Sequence, residues 1–277
     1  VSHLRRRESE LKRALTPEGR YIIGSSPQIM HVMNLVRKVA KTDANILITG
    51  ENGTGKELVA REIHRMSTRS KELMVSVDMG AITETLFESE LFGHMKGAFT
   101  DSRETRQGKF EIAHKGTLFL DEIGNLSFHL QAKLLTAIEN RQITRIGSND
   151  PIWVDIRLIC ATNRNIENMV TEGLFREDLL YRINTIQIEM PPLRERGTDI
   201  VNLAEFFLGK YTLKYNKREL KLNRQAVDKL VNYSWPGNIR ELQNTIEKAV
   251  ILSDGSVIKP DDLYLKAPSG IKSPDSF

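Results

Sequence analysis

The part of this sequence best suited to chemistry is a glycine-rich stretch between an apolar run and a helical pattern. Gly50–Lys56 reads Gly-Glu-Asn-Gly-Thr-Gly-Lys, follows the apolar run Ile46–Thr49 and precedes the helical pattern Glu57–Ile63. In this order the glycines turn backbone N–H groups toward one point, the helix N-terminus adds its positive dipole end, and the lysine supplies a cation for the β- and γ-phosphates. The stretch predicts a nucleotide phosphate cradle; the alternative is a turn that only joins a strand to a helix.

Two adjacent carboxylates supply the second half of a hydrolytic site. The residue after the lysine, where a hydroxyl would ligate magnesium, is Glu57, so magnesium must find its protein ligand elsewhere. Asp121 and Glu122 follow the apolar run Gly116–Leu120, which is typical of a buried parallel strand that delivers acids to its carboxyl end. Asp121 is predicted to hold the magnesium water shell, and Glu122 to polarise the water that attacks the γ-phosphate. The alternative is an exposed acidic strand end.

The elements that must position these residues follow an alternating pattern. Strand-like and helical runs alternate up to about Pro191, which predicts an α/β fold with a parallel sheet covered by helices on both faces. From there to about Leu265 the strands are expected to stop and three helices to follow, with Asp199, Asn223 and Asn238 as their N-caps. The five predicted strands are Ile46–Thr49, Met74–Val77, Leu118–Asp121, Arg157–Thr162 and Thr185–Glu189.

Composition sets only broad limits on the class of protein. The 277 residues carry a net charge of +4, too small to argue for nucleic-acid binding by itself. No apolar stretch has membrane-spanning length and the start lacks a signal-peptide core, so we expect a cytoplasmic protein with no membrane partner. Cys160 lies in an apolar run and is expected to be buried. The six histidines show no metal-ligand spacing, so no structural zinc is expected.

Four segments are predicted along the chain. Residues 1–20 place Leu4, Leu11 and Leu15 at roughly heptad spacing, which indicates either a linker helix that pairs with another copy or a solvated connector. The following segments are an α/β nucleotide-binding subdomain over 21–191, an α-helical lid over 192–265, and a tail or linker over 266–277.

Several motifs in a fixed order give the sequence a resemblance to a known family. Over about Ile22 to Leu265 it resembles the central AAA+ domain of bacterial enhancer-binding proteins, the sigma-54-dependent transcription activators of the nitrogen-regulator type. The resemblance implies an AAA+ P-loop NTPase with a five-stranded parallel sheet and a helical lid. The motifs are Gly50–Glu57, Gly93–Thr100, Leu118–Gly124, Phe175–Asn184, Pro191–Arg196 and Trp235–Leu242.

The activity implied by this resemblance is ATP hydrolysis coupled to transcription. Such domains assemble into a ring, usually a hexamer, and use ATP with Mg²⁺ to remodel closed promoter complexes of sigma-54 with RNA polymerase holoenzyme. The resemblance therefore implies a homo-oligomer, from a dimer to a hexameric ring. The full-length protein would carry a receiver domain ahead and a DNA-binding domain behind, since too few residues follow Leu265 for a helix-turn-helix. DNA is therefore expected as a partner only through a segment absent from this chain.

The resemblance also assigns roles to residues of the nucleotide site. Asn163 would be a sensor beside the γ-phosphate, and Arg240 a second sensor reaching from the lid. Ile22, Ile23 and Gly24 would pack the adenine, although an apolar pair there could equally belong to the core. Gly53–Glu57 would hold the phosphates. The full set of nucleotide-binding residues in this loop would be Gly50, Glu51, Asn52, Gly53, Thr54, Gly55, Lys56, Glu57 and Leu58.

Two arginines would complete the site of a neighbouring subunit. By resemblance Arg176 and Arg182 are arginine fingers, which neutralise charge that builds up on the γ-phosphate and make hydrolysis depend on assembly. Without the resemblance, ordinary surface ion pairing with Glu177 or Asp178 is the simpler interpretation.

The loop expected to touch sigma-54 departs from the family pattern. Gly97, Ala98, Phe99 and Thr100 match it, but the next residue is Asp101 where most of the family has glycine. An aspartate narrows the backbone conformations and adds a negative charge at the loop tip, so the stroke of the loop or its partner could differ.

A second departure lies near the predicted catalytic acid. Most relatives have asparagine where this chain has Asp78, and an ionised carboxylate cannot donate the hydrogen bond that would draw the catalytic glutamate away from water. Two alternative functions stay open: an AAA+ motor acting directly on DNA, which would have no reason to carry the Gly97–Thr100 loop, and a nucleotide-dependent binding module without turnover. Glu122, Arg176 and Arg182 argue against the second.

Overall fold

The structure is a computed structural model that describes residues 22–80, 84–99, 102 and 104–265, without the side chains of residues 84 and 85. The predicted linker helix over 1–20 and the tail over 266–277 lie outside the described residues. The chain forms two compact units: an α/β unit with residue 22 and residues 27–192, and a helical unit with residues 23–26 and the chain from Leu193 onward. No helix among the described residues is both long and apolar enough to cross a bilayer.

The α/β unit alternates strands and helices as the hydrophobic pattern predicts. The 3₁₀ turn Ile123–Asn125 follows the strand that ends at Asp121. In chain order the elements are α1 (Pro27–Val39), β1 (Ile46–Thr49), α2 (Lys56–Arg65), β2 (Met74–Asp78), α3 (Glu84–Phe92), β3 (Gly93–His94), β4 (Arg106–Gln107), α4 (Lys109–Ile112), β5 (Thr117–Asp121), α5 (Phe128–Asn140), β6 (Gln142–Thr144), β7 (Pro151–Trp153), β8 (Arg157–Thr162), α6 (Ile166–Thr171), α7 (Glu177–Ile183) and β9 (Ile186–Glu189).

Five of these strands form one parallel sheet in the order β2, β5, β8, β1, β9, which confirms the predicted fold class. The predicted strands are all present, with ends that differ from the expectation by at most one residue. The register sets Asp78 opposite Asp121 and Thr49 opposite Thr162, so the carboxyl ends of the strands share one edge. The glycine-rich loop leaves β1 at this edge, and the paired acids leave β5 there.

Alternate residues of the central strands feed two apolar layers. Ile46 and Ile48 pack with α1 and α2 on one face of the sheet, whereas Leu47 packs with the helices on the other face. β8 is buried at all six residues, as expected of a strand covered on both faces. Cys160 lies within it, and burial raises the pKa of its thiol, so it behaves as a small apolar side chain.

Two short antiparallel hairpins were not expected from the sequence. β3 pairs with β4, and β6 pairs with β7. A bridge between His94 and Ile146 and a hydrogen bond from Met95 N to Ile146 O join the two hairpins. Runs of two or three residues carry too little alternation to be recognised from the pattern alone.

The helical unit contains the three predicted helices, but the expectation that strands stop after Pro192 is wrong. Two short strands, β10 and β11, pair in parallel and tie the segment before the second helix to the end of the unit. Its core surrounds Trp235, which is fully buried and donates from Nε1 to Leu230 O at 2.8 Å. The elements are α8 (Asp199–Lys214), β10 (Lys221–Leu222), α9 (Arg224–Asn232), α10 (Asn238–Leu252) and β11 (Val257–Ile258), with 3₁₀ turns at Leu193–Glu195 and Pro260–Asp262.

Only one of the three predicted N-caps is confirmed. Asn223 caps α9, since its side chain accepts from Ala226 N. Asp199 and Asn238 are instead the first residues of their helices, behind Thr198 and Gly237. The side-chain oxygens of both residues accept hydrogen bonds from donors that are distant in sequence. Asp199 accepts from the backbone N–H groups of residues 25 and 26, and Asn238 accepts from Leu193 N. Tertiary hydrogen bonding has taken precedence over local capping.

Candidate nucleotide-binding site

The glycine-rich loop has the backbone of a phosphate cradle. Gly50, Gly53 and Gly55 have φ values of 137°, 78° and 100°, a region that side-chain-bearing residues rarely adopt. Gly55 directly precedes α2, so the N-terminal amides of that helix face the concave side of the loop. The hydroxyl of Thr54 donates to Glu51 O at 2.8 Å and braces the turn from within.

The lysine of the loop is held over the same concave side. Lys56 is the first residue of α2 and is only 6% exposed. It donates to Gly50 O at 3.0 Å and lies near Glu51 O at 3.4 Å. A buried ammonium held by two loop carbonyls is a pre-placed cation for an anionic ligand.

The acids after β5 lie beside this lysine. Glu122 has φ 56°, a left-handed conformation that turns its side chain back toward the loop, and its Oε1 lies 3.7 Å from Lys56 Nζ. Its other oxygen, Oε2, accepts from Asn163 N at 3.3 Å. Glu122 N donates to Asp121 Oδ1 at 3.0 Å, which fixes the two acids relative to each other. The carboxyl ends of β1, β5 and β8 therefore bring together Lys56, Glu122 and Asn163.

Negative charge exceeds positive charge at this edge of the sheet. Burial raises the pKa of Asp121, and the carboxylates of Glu122 and, to a smaller extent, Asp78 raise it further against the opposing effect of Lys56. Asp78 is exposed, and its Oδ1 accepts from Gly80 N at 2.8 Å. The site is thus built to accept additional positive charge.

This charge balance fits a magnesium ion that arrives with phosphate. Among the described residues no group of three or more His, Cys, Asp or Glu side chains could enclose a metal by itself. Mg²⁺ usually takes one or two carboxylates and completes its octahedron with phosphate oxygens and water. Asp121, partly buried at the strand end with a raised pKa, is the protein oxygen that suits this role. Glu57 is less suited, since its Oε1 accepts from both Nε and Nη2 of Arg61.

Some predicted nucleotide-binding residues are placed outside the cradle itself. Leu58 is half-buried in the first turn of α2, and Ile22 packs partly against the core of the α/β unit. Ile23 and Gly24 belong to the helical unit, where Ile23 packs against that unit's core. Arg240 is an exposed residue in the first turn of α10. Their roles at the nucleotide stay predictions.

Gly24 is enclosed by a buried ion pair of the helical unit. Arg196 and Asp199 are 1% and 0% exposed, and Arg196 Nη2 donates to Ile23 O at 2.8 Å. Asp199 accepts from the backbone N–H groups of Ser25 and Ser26 and from the Ser26 hydroxyl. A Cβ on Gly24 would lie 2.5 Å from Asp199 Oδ2. The segment at residues 23–26 is therefore fixed onto α8.

The two predicted arginine fingers lie at the two ends of α7. Arg176 is its N-cap and makes two hydrogen bonds to Asp178, at 3.0 and 2.7 Å, and its guanidinium also lies over the Phe128 ring. The ion pairing considered from the sequence is thus present within the chain. Hydrogen bonding to Asp178 raises the pKa of Arg176 further, so it is a permanent cation.

A buried glutamine sets the position of Arg176. Gln131 is fully buried in α5, where its Nε2 donates to Leu126 O and Leu174 O at 2.9 and 3.0 Å. Its Oε1 accepts from Arg176 N at 2.8 Å. Two of the three hydrogen bonds of the amide thus hold the backbone that enters α7, and the third holds the backbone just before α5.

Arg182 lies at the opposite edge of the sheet from the phosphate loop. Its carbonyl accepts from Asn45 Nδ2 at 2.9 Å, just before β1 begins, whereas the loop starts after β1 ends. The five residue steps from Asn45 to Gly50 span about 16 Å of strand. This gap is longer than an extended arginine side chain, so Arg182 does not serve the phosphate loop of its own chain.

The loop expected to contact sigma-54 rises from the hairpin of β3 and β4. Gly97 has φ 82° with open space around its Cβ position, and its N–H donates to Ser102 O. Phe99 is 41% exposed and its ring meets His94 edge-on, with centroids 4.9 Å apart. The Ser102 hydroxyl donates to Phe99 O at 2.8 Å and accepts from Phe99 N at 3.0 Å. Ala98 packs close to Gly147, where a Cβ would lie 2.9 Å from the Cβ of Ala98. Thr100 and Asp101 lie outside the described residues.

The α/β unit is a parallel sheet in which a glycine-rich loop follows β1 and paired acids follow β5, with β8 between the two strands. Together with the helical unit that follows in the chain, this is the architecture of AAA+ P-loop NTPases. The architecture defines this class of protein but does not specify what a member of the class acts on. The chain belongs to the Sigma-54 interaction domain family, whose model matches residues 22–189, and an AAA+ ATPase lid domain model matches residues 194–274. The resemblance drawn from the motifs is thereby confirmed.

Named relatives agree with this family. The transcriptional regulatory protein ZraR of Salmonella typhimurium (strain LT2) is 48% identical over 265 residues, which cover 96% of this chain and 60% of that protein. The regulatory protein AtoC of Escherichia coli (strain K12) is 48% identical over 254 residues, covering 92% of this chain and 54% of AtoC.

The same fold occurs in a solved structure with a bound nucleotide. The crystal structure of NtrX from Brucella abortus in complex with ATP matches with a TM-score of 0.83 and 34% identity, covering 95% of this chain and 58% of the NtrX chain. The chain therefore spans between about half and three fifths of the length of these relatives.

Gln131 is a site residue that sequence reasoning missed. It lies on the same helical stripe as Leu134, Leu135 and Ile138, and a lone amide on an apolar stripe is a readable signal of a buried polar contact. The partners of such an amide are distant in sequence, as Leu174 and Arg176 are here, and cannot be read from spacing.

Proposed function

We propose that this chain is an ATP-hydrolysing transcription activator domain that remodels sigma-54 RNA polymerase closed complexes and works as an assembly of copies. The observation that carries the hydrolytic part is the contact of Glu122 with both Lys56 and Asn163, at 3.7 and 3.3 Å. It joins the phosphate loop, the acidic strand end and the predicted sensor at one point.

The roles of the chain's own residues follow from their positions. Loop amides and Lys56 hold the β- and γ-phosphates, and Glu122 orients the attacking water and accepts its proton. Asn163, whose backbone N–H donates to Glu122, reports whether that carboxylate faces the γ-phosphate. Asp121 would hold Mg²⁺, which when bound neutralises charge on the phosphate oxygens.

Assembly is part of the proposal because Arg182 lies too far from the phosphate loop of its own chain to reach it. Arg182 lies at the amino edge of the sheet and the phosphate loop lies at the carboxyl edge. Arg182 of one copy can therefore contact the phosphate loop of a second copy only if the amino edge of the first packs against the carboxyl edge of the second. Such a head-to-tail contact is heterologous and closes into a ring when the rotation permits. Exposed apolar side chains near the arginines, Phe128, Leu174 and Tyr181, suit burial in this contact.

The nucleotide part is tested by two substitutions with matched controls. Lys56→Ala removes charge-assisted hydrogen bonds to phosphate worth about 2 kcal/mol or more, so ATP affinity should fall at least about thirtyfold in titration calorimetry. Glu122→Gln should keep ATP affinity while phosphate release falls by about a hundredfold or more. Lys71→Ala and Glu172→Gln, both at exposed positions, should change neither quantity.

Each result has a contrary outcome. Retained affinity in Lys56→Ala would remove the phosphate cradle from the proposal, and retained turnover in Glu122→Gln would remove the catalytic acid. If wild-type protein binds ATP but releases no phosphate at any protein concentration, the chain is a nucleotide-dependent binding module. If DNA stimulates turnover and sigma-54 does not, the target is nucleic acid.

A further inference from the structure

A cavity of about 210 Å³ opens at the amino edge of the sheet, away from the phosphate loop. Its walls are formed by residues at the starts of β1, β8 and β9 and at the ends of α5 and α7. The charged side chains that line it are Asp43, Arg69, Arg141, Asp155 and Arg182, three cations against two anions.

The anions of this cavity are already engaged. Arg69 pairs with Asp43 at 3.2 Å and with Asp155 at 3.0 Å, so one guanidinium serves both carboxylates. Within the described part of the chain, neither Arg141 nor Arg182 forms an ion pair with a carboxylate. Arg182 has one long contact, from Nη2 to Ile138 O at 3.5 Å. The cationic excess of the cavity therefore lies at these two arginines.

Arg141 has a backbone conformation that is unfavourable for a residue with a side chain. It follows α5 as the C-terminal cap with φ 52° and ψ 35°, the left-handed conformation in which helices most often place glycine. A residue with a Cβ is disfavoured there by about 1 kcal/mol relative to glycine. Its carbonyl accepts from Val154 N at 2.8 Å, a backbone contact that glycine would also make. Within the described part of the chain, the guanidinium of Arg141 makes no hydrogen bond or ion pair that would offset this cost.

We propose that Arg141 is a third trans-acting arginine, which together with Arg182 binds the phosphate groups of a nucleotide held by a second copy of this chain. The inference rests on the proposed function, because it needs a neighbouring phosphate loop at the amino edge of the sheet. Guanidinium groups bind phosphate oxygens through paired hydrogen bonds, and two of them at one cavity mouth match a polyphosphate better than one.

The test uses the substitution that the backbone favours. Arg141→Gly should keep or slightly raise the melting temperature and leave ATP affinity unchanged at protein concentrations below assembly. At concentrations where copies assemble, phosphate release should fall at least about tenfold, since trans-acting arginines contribute large factors to turnover.

Lys115→Gly is the matched control. Lys115 is also an exposed cation with a left-handed backbone, φ 67°, but it does not line the cavity. The same exchange of a cation for glycine should there leave turnover within about twofold of wild type. An equal loss of turnover in both variants would mean that general charge, not the cavity, is responsible, and the assignment of Arg141 would be wrong.

Mixing variants decides whether Arg141 acts on a second copy. Neither Arg141→Gly nor Lys56→Ala alone should turn over well, but in an equal mixture an intact phosphate loop can face an intact Arg141. Half of the copies carry the loop and half of their neighbours carry the arginine, so about a quarter of wild-type turnover should return if interfaces act independently. No recovery would overturn the inference.

An Arg182→Ala and Lys56→Ala mixture separates this inference from the function on which it rests. If turnover recovers in that mixture but not in the mixture of Arg141→Gly with Lys56→Ala, the trans-acting role of Arg141 is rejected while that of Arg182 stands. Absence of recovery in both would reject trans-acting arginines, and with them the assembly part of the proposed function.

Discussion

Replacement of Gln131 should disable hydrolysis while leaving the phosphate loop intact. Gln131→Met keeps the length of the side chain but removes one acceptor and two donor contacts, to Arg176 N, Leu126 O and Leu174 O. Each such bond contributes about 1 kcal/mol net, so the free energy of unfolding should fall by about 3 kcal/mol. For a unit of this size that corresponds to a drop of roughly 10 °C in melting temperature.

The functional effect should be separable from the loss of stability. Well below the new melting temperature, ATP affinity should be unchanged because the hydrogen bonds of Gln131 within the described chain go to Leu126, Leu174 and Arg176, and not to the cradle at Gly50–Lys56. Phosphate release by assembled protein should fall at least about tenfold, since a shift of about 1 Å in a catalytic group has effects of this order or larger. Calorimetry, thermal unfolding and phosphate release on the same preparation measure the three quantities.

Two further variants sharpen the test. Gln131→Glu keeps the acceptor for Arg176 N but sets carboxylate oxygen against two carbonyl oxygens, so it should cost more stability than Gln131→Met. Gln225→Met, at an exposed position of α9, should change nothing measurable. Normal turnover by destabilised Gln131→Met would show that this amide does not position Arg176, and an unchanged melting temperature would refute the hydrogen-bond reasoning itself.

Three other variants give shorter tests. Glu111→Gln should lower the free energy of unfolding by about 2 kcal/mol at pH 7, because its pair with Arg145 lowers the pKa of Glu111. That stabilisation exists above the ordinary carboxyl pKa and is lost as the pH falls through the lowered one, so the difference in unfolding free energy between variant and wild type should shrink as the pH falls below the ordinary carboxyl pKa, and a difference that does not shrink would contradict it. Gly24→Ala should destabilise the helical unit through the contact of its Cβ with Asp199, whereas Gly209→Ala, with open space around it, should not, and equal melting temperatures would refute the clash. Phe99→Ala should keep ATP turnover but lose the complex with sigma-54 formed in ADP with a metal fluoride, and a complex that persists in gel filtration would reject the loop assignment.

Much of the α/β unit could be predicted from the sequence because its strands are buried on both faces. Continuous apolar runs such as Arg157–Thr162 are distinctive, and the glycine-rich loop fixes which end of the sheet carries the site. The contact of Glu122 with Lys56 follows from that geometry, since parallel strands that end at one edge bring their following residues together.

The remaining features depend on contacts between distant residues. Asp199 and Asn238 have the residue types of N-caps, but their oxygens bind partners 173 and 45 residues away. The paired strands β10 and β11 have two residues each, too short for any period to be visible. The cavity at Arg141 is equally hidden, because nothing in the spacing of α5 marks where that helix ends.

The buried pair of Arg196 with Asp199 has a consequence for how the chain must be made. The backbone at Ser25 and Ser26 is among the first parts of the described chain to leave the ribosome, and its carboxylate partner is synthesised 173 residues later. A fragment beginning at Leu193 would keep the pair of Asp199 with Arg196 but would lack Ser25 and Ser26, so the buried carboxylate would lose three hydrogen-bond donors. The helical unit is therefore expected to complete its hydrogen bonds only after the segment that follows Leu193 has been synthesised and has joined residues 23–26.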